Sequence, residues 1–392
     1  MSTPWFFSAA DEKNTDAPGA SNSIRCELCH RRCLIAPGKY GTCKVRFNRE
    51  GKPKLPFYGY ITACCVDPIE KKPLYHFRPG SEILSVGFAG CNLHCPFCQN
   101  WKISQSITIP EYGFSEATLP DQKETFFQDN QPEFFPPGRF YSAADLVNEA
   151  KQTGGLHSVA YTYSEPLIHI EFLLDAMKEA KKAGVANVLV SNGNINLGAA
   201  DEILQYTDAA NIDLKCFSKE TYENVLGGNL ETVCDFIRKA LEKGVHLELT
   251  TLVIPGLNDS PAELDKCGDF IAELESSGLT IPWHLSAYHP DWKWRTPLST
   301  EPRSLINAAA RAGEKVKFVY VGNIVTAGKT ADRDATIPKK EKNFSDTYCP
   351  HCGETLVSRR FYNITASLKS NKEENGKTFY SCAFCGNTVP IL

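Results

Sequence analysis

Cysteines carry most of the chemistry this sequence could do, and they fall into three spaced groups. The first is Cys26-x2-Cys29-x3-Cys33-x9-Cys43, in CELCHRRCLIAPGKYGTC. Four thiolates at such spacing close around one Zn²⁺ or hold an iron–sulfur cluster. The second is Cys91-x3-Cys95-x2-Cys98, in GFAGCNLHCPFCQNW. Three thiolates from one short loop ligate three irons of a [4Fe–4S] cube and leave the fourth iron open to a substrate or cofactor. No further cysteine follows Cys98 until Cys216. The third group pairs Cys349-x2-Cys352 with Cys382-x2-Cys385, each half reading CxxCG, the shape of a zinc knuckle whose glycine turns the backbone under the ion. This C-terminal set is expected to bind one Zn²⁺, with a second iron–sulfur cluster as the rival, and Arg359 and Arg360 are candidates for partner contact. Cys64, Cys65, Cys216, Cys234 and Cys267 remain, and isolated cysteines are usually small buried hydrophobes. The adjacent Cys64 and Cys65 would point to opposite faces of a strand.

The elements that position these groups alternate. Apolar strand segments are expected at Ile83–Ala89, Ser158–Tyr163, Val185–Ser191, Ala209–Leu214, His246–Ile254, Ile281–Tyr288 and Val316–Val321. Between them lie helical patterns at Ile168–Ala183, ending at Gly184, and Glu231–Lys243, ending at Gly244. Ser260 with Glu263 forms a capping box that opens Pro261–Glu275, and Ser299-Thr300-Glu301-Pro302 opens a last helix ending near Gly313. Strand–helix alternation predicts an α/β fold of parallel β/α units in a barrel or partial barrel. Chemistry in such folds collects at the C-terminal strand ends. Cys91, Glu165, Asn192, Asp213, Pro255 and His289 all sit at or just after a strand end. Ser104–Arg139, rich in Pro, Gln, Asp and Phe, reads as an insert or lid, and Ala327–Ser345 as a linker.

Composition narrows the class. The chain has 392 residues, 42% hydrophobic and 22% charged, enough for two or three folded domains. No run approaches the ~20 apolar residues of a membrane helix. Residues 1–23 carry neither a basic start nor an apolar stretch and read as a disordered tail without a secretory signal. Sixteen cysteines without an export signal favour metal or catalytic chemistry over disulfides, hence a cytoplasmic setting and no membrane partner. The net charge is −4, yet residues 24–80 hold twelve Lys or Arg against four Asp or Glu. That basic stretch could meet an acidic protein surface or a nucleic acid, or serve solubility alone.

The Cx3CxxC group, with aromatic Phe97 before its last cysteine, after a first strand and ahead of β/α units, resembles the radical S-adenosylmethionine superfamily. DPIEKKPLYHFRPGS at 67–81, GCNLHCPFCQNW at 90–101, YTYSEP at 161–166, IDLK at 212–215, LVIPGLNDS at 252–260, WHLSAYHP at 283–290 and VYVGN at 319–323 narrow the likeness. They resemble the radical enzyme of the AmmeMemoRadiSam group, itself similar to pyruvate formate-lyase activating enzymes. The resemblance runs from about Cys26 to the end, interrupted by the insert. It implies a partial parallel (β/α)6-type barrel over 82–326, with the insert at 104–139 and a linker at 327–345. A cysteine-rich module at 24–81 and a zinc-ribbon-like module at 346–392 flank that barrel.

The resemblance also implies roles. Cys91, Cys95 and Cys98 hold a [4Fe–4S] cluster whose open iron chelates S-adenosylmethionine, with Phe97 beside it. One electron, from a donor such as flavodoxin or ferredoxin, cleaves the sulfonium to methionine and a 5′-deoxyadenosyl radical that abstracts hydrogen. Glu165, in Ser164-Glu165-Pro166, contacts the methionyl amine. Asn192 lies in Ser191-Asn192-Gly193, which matches a TNG turn, although Val190 stands where those enzymes often show an acid. Asp213 and Lys215 match a DxK pair, Lys215 toward the methionyl carboxylate and Asp213 toward the ribose, the carboxylate or a nearby cation. Val253–Gly256 passes along the adenine, and His284 and His289 are pocket candidates. The substrate class stays open between a glycyl-radical protein, an RNA and a small molecule. The alternative is a metal-stapled binding module, for nucleic acid or protein, with an inactive barrel.

Overall fold

The computed structural model describes residues 6–9, 22–105, 138–153, 157–324, 343–360, 363–374 and 377–392. Most of the expected tail, insert and linker lies outside them. The chain forms two compact units interleaved in sequence. One holds 1–67, 83–210 and 219–246, and the other 68–82, 211–218 and 247–392.

In the first unit, β1 (Glu82–Gly87), β2 (Ser158–Thr162) and β3 (Ala186–Ser191) pair in parallel. Parallel strands are covered on both faces and so read as continuous apolar runs. All five residues of β2 are buried. Helices α1 (Ala143–Gln152), α2 (Ile170–Lys182), α3 (Leu197–Leu204) and α4 (Leu230–Glu242) belong to this unit. The expected C-caps hold, because Gly184 and Gly244 adopt φ +71° and +72°, which an L side chain resists. Ala209–Asp213 forms β4. Phe7–Ala9, within the expected tail, pairs antiparallel with Ile24–Cys26.

The second unit carries β5 (His246–Val253), β6 (Trp283–Ala287) and β7 (Val319–Gly322), again parallel, with α5 (Pro261–Glu275) and α6 (Pro302–Ala312). One detail departs from the sequence reading. Ser260 caps α5 through its hydroxyl, 3.2 Å from Glu263 N, but the Glu263 carboxylate accepts from Phe217 N instead of closing the box. The expected Ser299–Pro302 opening holds, with Glu301 capping α6 by accepting from Ser304 N at 2.7 Å. The Thr300 hydroxyl donates to Val253 O at 2.6 Å.

One buried ion pair ties the N-terminal cysteine-rich segment to α2. Arg46 grips Glu171 with two bonds, at 2.9 and 2.7 Å, and their side chains are 1% and 3% exposed. The Phe7 ring lies 4.4 Å from the guanidinium. Removing one partner strands a buried charge, at a cost of about 3–5 kcal/mol. Arg46→Met is expected to lower stability by that order in denaturant unfolding. Arg46→Met with Glu171→Met is expected to recover most of it, and equal losses in both variants would contradict the assignment.

Candidate functional site

The Cys91–Cys98 loop leaves β1 through Gly90, at φ +83°. A Cβ there would sit 2.4 Å from Cys43 O, so only glycine fits. Gly90 N donates to Ile103 O at 2.8 Å and Leu93 N donates to Cys91 Sγ at 3.3 Å. Cys98 N donates to Cys95 O at 3.2 Å, while Cys98 Sγ and Ser104 Oγ share a hydrogen bond of 3.2 Å. Cys95 and Phe97 are buried, whereas Cys91 and Cys98 stay partly accessible. Burial pushes the Cys91 thiol well above its usual pKa, and the Glu165 charge and the other two sulfurs push the same way. A bound cationic centre reverses that preference, because it stabilises thiolate directly.

Glu165 follows β2 and is fully buried. Its carboxylate accepts from Ser191 Oγ at 2.7 Å, Asn192 N at 2.9 Å and Leu167 N at 3.0 Å. Asn192 in turn donates through Nδ2 to Asn92 Oδ1 at 2.9 Å and reaches Cys91 Sγ at 3.8 Å. Cys91, Glu165 and Asn192 are therefore brought together, as their positions after β1, β2 and β3 implied. Sequence reading missed the residues that brace this loop from afar. Arg31 Nε donates to Asn92 O at 2.8 Å, Gln105 Nε2 to Leu93 O at 2.9 Å, and Asn92 Nδ2 to Asn194 O at 2.8 Å. Arg31 and Asn194 lie 61 and 102 positions from Asn92, beyond any local pattern.

In the second unit, Lys215 Nζ donates to Asp213 Oδ2 at 2.9 Å. Asn258, unassigned from sequence, fixes this strand end. Its Nδ2 donates to Lys215 O at 2.6 Å and Leu252 O at 2.8 Å, and its Oδ1 accepts from Ile254 N at 2.7 Å. His284 is engaged inside the unit, donating from Nε2 to the fully buried Glu248 carboxylate at 2.6 Å. Tyr75 N and His76 N of the 67–81 motif donate to that same carboxylate. His289 is half-buried and holds Asn323 O at 2.9 Å and Ser299 Oγ at 3.2 Å.

The C-terminal cysteines converge. The ligand atoms of Cys349, Cys352, Cys382 and Cys385 lie within 4.8 Å of one another, the one His/Cys/Asp/Glu group among the described residues that does so. Cys349 Sγ is 3.7 Å from Cys385 Sγ, and Cys352 Sγ 3.7 Å from Cys382 Sγ. One tetrahedral ion bound at about 2.3 Å sets sulfur edges of about 3.8 Å, so the set fits a single metal. Gly353 and Gly386, at φ +77° and +75°, turn the two knuckles. Arg359, a candidate for partner contact from sequence, is 4% exposed and donates to Tyr75 O and Thr347 Oγ1, both at 2.8 Å. Arg360 pairs with Asp346. Cys216, Cys234 and Cys267 are buried as expected. Cys64 and Cys65 are exposed, because their strand, Ala63–Pro68, ends the order of the parallel sheet.

The radical SAM superfamily model matches residues 85–266, which span the three-cysteine loop and the Glu165, Asn192 and Lys215 turns. An uncharacterized protein of Methanocaldococcus jannaschii is 31% identical over 372 residues, 95% of this chain and 96% of that one. The chain belongs to the radical SAM superfamily and is an enzyme; the family implies S-adenosylmethionine and an iron–sulfur cluster. Activating enzymes are among its relatives: pyruvate formate-lyase 1-activating enzyme of Escherichia coli is 25% identical over 221 residues, 55% of this chain and 78% of that one. A crystal structure of Streptococcus suis SuiB bound to S-adenosylmethionine aligns with a TM-score of 0.43 at 11% identity, covering 62% of this chain and 52% of that one. No described helix is long and apolar enough to cross a membrane.

Losing the Glu165 carboxylate orphans three buried donors, at roughly 1–3 kcal/mol each. Glu165→Ala is expected to lower Tm and to reduce the iron retained by the Cys91–Cys98 loop. Glu165→Gln, which keeps an acceptor oxygen, is expected to lie between. Wild-type Tm and iron content in Glu165→Ala would remove this residue from the loop's support.

Proposed function

We propose that this chain is a radical enzyme of the activating type, acting by hydrogen abstraction on a partner protein. The observation that carries the reading is the three-thiol loop with Glu165 and Asn192 set against Cys91. Cys91, Cys95 and Cys98 fit a [4Fe–4S] cluster. Their sulfurs stay outside the tight convergence of a single-ion site, and Leu93 N and Asn192 Nδ2 are directed at Cys91 Sγ. When bound, the cluster and S-adenosylmethionine supply reductive sulfonium cleavage to a 5′-deoxyadenosyl radical.

The chain's residues bind and orient. Glu165, oriented by Ser191 Oγ, Asn192 N and Leu167 N, is the group offered to the methionyl ammonium. Lys215, held by its bond to Asp213, is the cation offered to the methionyl carboxylate. Asp213, held by that bond, retains acceptor capacity for ribose hydroxyls. Phe97 packs the loop interior and excludes water beside it. The protein-substrate assignment draws on the pyruvate formate-lyase activating enzymes among the relatives. A one-electron donor of the flavodoxin or ferredoxin kind completes the reaction.

Anaerobically reconstituted protein with dithionite and S-adenosylmethionine is expected to form 5′-deoxyadenosine. Cys91→Ala, Cys95→Ala or Cys98→Ala is expected to abolish it. Lys215→Ala is expected to leave the iron in place and to weaken S-adenosylmethionine binding roughly tenfold to hundredfold, the worth of a charge-assisted hydrogen bond. An iron-loaded protein that forms no deoxyadenosine would instead favour the inactive-barrel binding module.

The four C-terminal thiols hold one structural Zn²⁺ in this reading. Their small core contains Leu356, Val357, Val389 and Ile391 together with Cys349 and Cys382, so metal binding supplies much of the folding energy. The expected zinc content is about one per chain. Cys352→Ser with Cys385→Ser is expected to lose that zinc while deoxyadenosine formation persists. Unchanged zinc in the double variant would refute the assignment.

A further inference from the structure

We propose that Cys26, Cys29, Cys33 and Cys43 hold a second iron–sulfur cluster, closed by four thiolates, against the back of the Cys91–Cys98 loop. Four observations lead there. All four cysteines are free thiols, and three of them are buried. Each sulfur has a hydrogen-bond donor. The backbone N–H two residues on serves Cys26, Cys29 and Cys43, from Leu28, Arg31 and Val45, and Thr42 Oγ1 lies 3.3 Å from Cys33 Sγ. The same i+2 donor recurs at Cys91, from Leu93 at 3.3 Å, and at Cys382, from Phe384 at 3.4 Å. N–H groups aimed at sulfur offset thiolate charge and are what a ligating sulfur requires. Arg46 adds a buried guanidinium beside Cys26.

The span of the set separates it from a single-ion site. The ribbon's sulfurs draw in to 3.7 Å, the edge of a single-ion tetrahedron. The N-terminal sulfurs do not close within 4.8 Å, and neither do those of the Cys91–Cys98 loop. A cube of four irons spaces its external sulfurs farther apart than one ion does. Cys33, the half-buried member, opens on a hollow of about 500 Å³ lined by His30, Arg31, Tyr40 and Thr42.

Position gives the centre its consequence. Arg31 stands between Cys29 and Cys33 and donates to Asn92 O, the residue after Cys91, at 2.8 Å. Cys43 O closes against Gly90, and Lys44 Nζ donates to Gln105 O at 2.9 Å. A filled N-terminal site therefore fixes the residues that brace the catalytic loop. Four protein ligands leave no open iron, so S-adenosylmethionine does not bind there. The inference rests on the proposed reading only where it assigns the Cys91–Cys98 loop the other cluster.

The test uses full-length chain, reconstituted anaerobically with iron and sulfide. Wild type is expected to carry about eight irons, and Cys91→Ala/Cys95→Ala/Cys98→Ala about four. The remaining cluster, once reduced, is expected to give an electron paramagnetic resonance signal that S-adenosylmethionine does not alter. Cys33→Ser keeps a hydroxyl for Thr42 and so guards against loss of fold. It is expected to lose that signal and keep the S-adenosylmethionine-responsive one. A triple variant without iron, whether the chain carries about two zinc ions or one, would overturn the proposal. A triple variant that keeps all the wild-type iron, with iron lost in Cys33→Ser, would support it while refuting the assignment of the Cys91–Cys98 loop.

Discussion

A buried carboxylate needs donors on its oxygens, and Glu165 accepts from Ser191 Oγ, Asn192 N and Leu167 N. The constraint acts on two strand ends at once. It holds the turn after β3 to the turn after β2, and Asn192, fixed in this way, reaches Asn92 and Cys91 on the loop after β1. Three consecutive β/α units are thus registered at their C-terminal ends by one side chain. The cysteine loop, which has little regular structure of its own, inherits its position from them. Metal ligation demands this, because ligand spacing tolerates only small errors and a loop alone does not supply it.

A second buried carboxylate plays a comparable part in the second unit. Glu248 collects Tyr75 N, His76 N and His284 Nε2. His76 Nδ1 donates to Pro390 O at 2.7 Å, which leaves Nε2 to accept from Tyr320 OH at 2.6 Å. Arg359 lies over the Tyr75 ring at 4.1 Å and donates to Tyr75 O. The 67–81 motif is accordingly spent on filling Glu248 and on seating the C-terminal strands. His284, a pocket candidate on residue type alone, belongs to this network.

What could be read from sequence was local and periodic. All seven expected parallel strands are present, and α5 spans Pro261–Glu275 as its capping serine and apolar repeat implied. The strand-end positions of Cys91, Glu165 and Asn192 followed from alternation alone, and so did their convergence. Long-range polar pairing was not legible. Arg31 with Asn92, Arg46 with Glu171 and Asn258 with Lys215 join residues 61, 125 and 43 positions apart, and no periodicity announces such pairs. Arg359 misled for a related reason. A ribbon arginine reads as surface until its aromatic partners, Tyr75 and Tyr320, are known. The cysteines divide the same way. Spacing identified three candidate metal groups, and only the separation of their sulfurs distinguishes a single-ion site from the wider sets.

The central claim is that the Cys91–Cys98 loop leaves one iron open to S-adenosylmethionine. Electron–nuclear double resonance on the reduced protein, with S-adenosylmethionine labelled at its methionyl amine and carboxylate, addresses that iron directly. Hyperfine coupling from both labels to the loop's cluster is expected, absent in the Cys91→Ala/Cys95→Ala/Cys98→Ala variant. An intact, reducible cluster on that loop with no coupling to either label would contradict it.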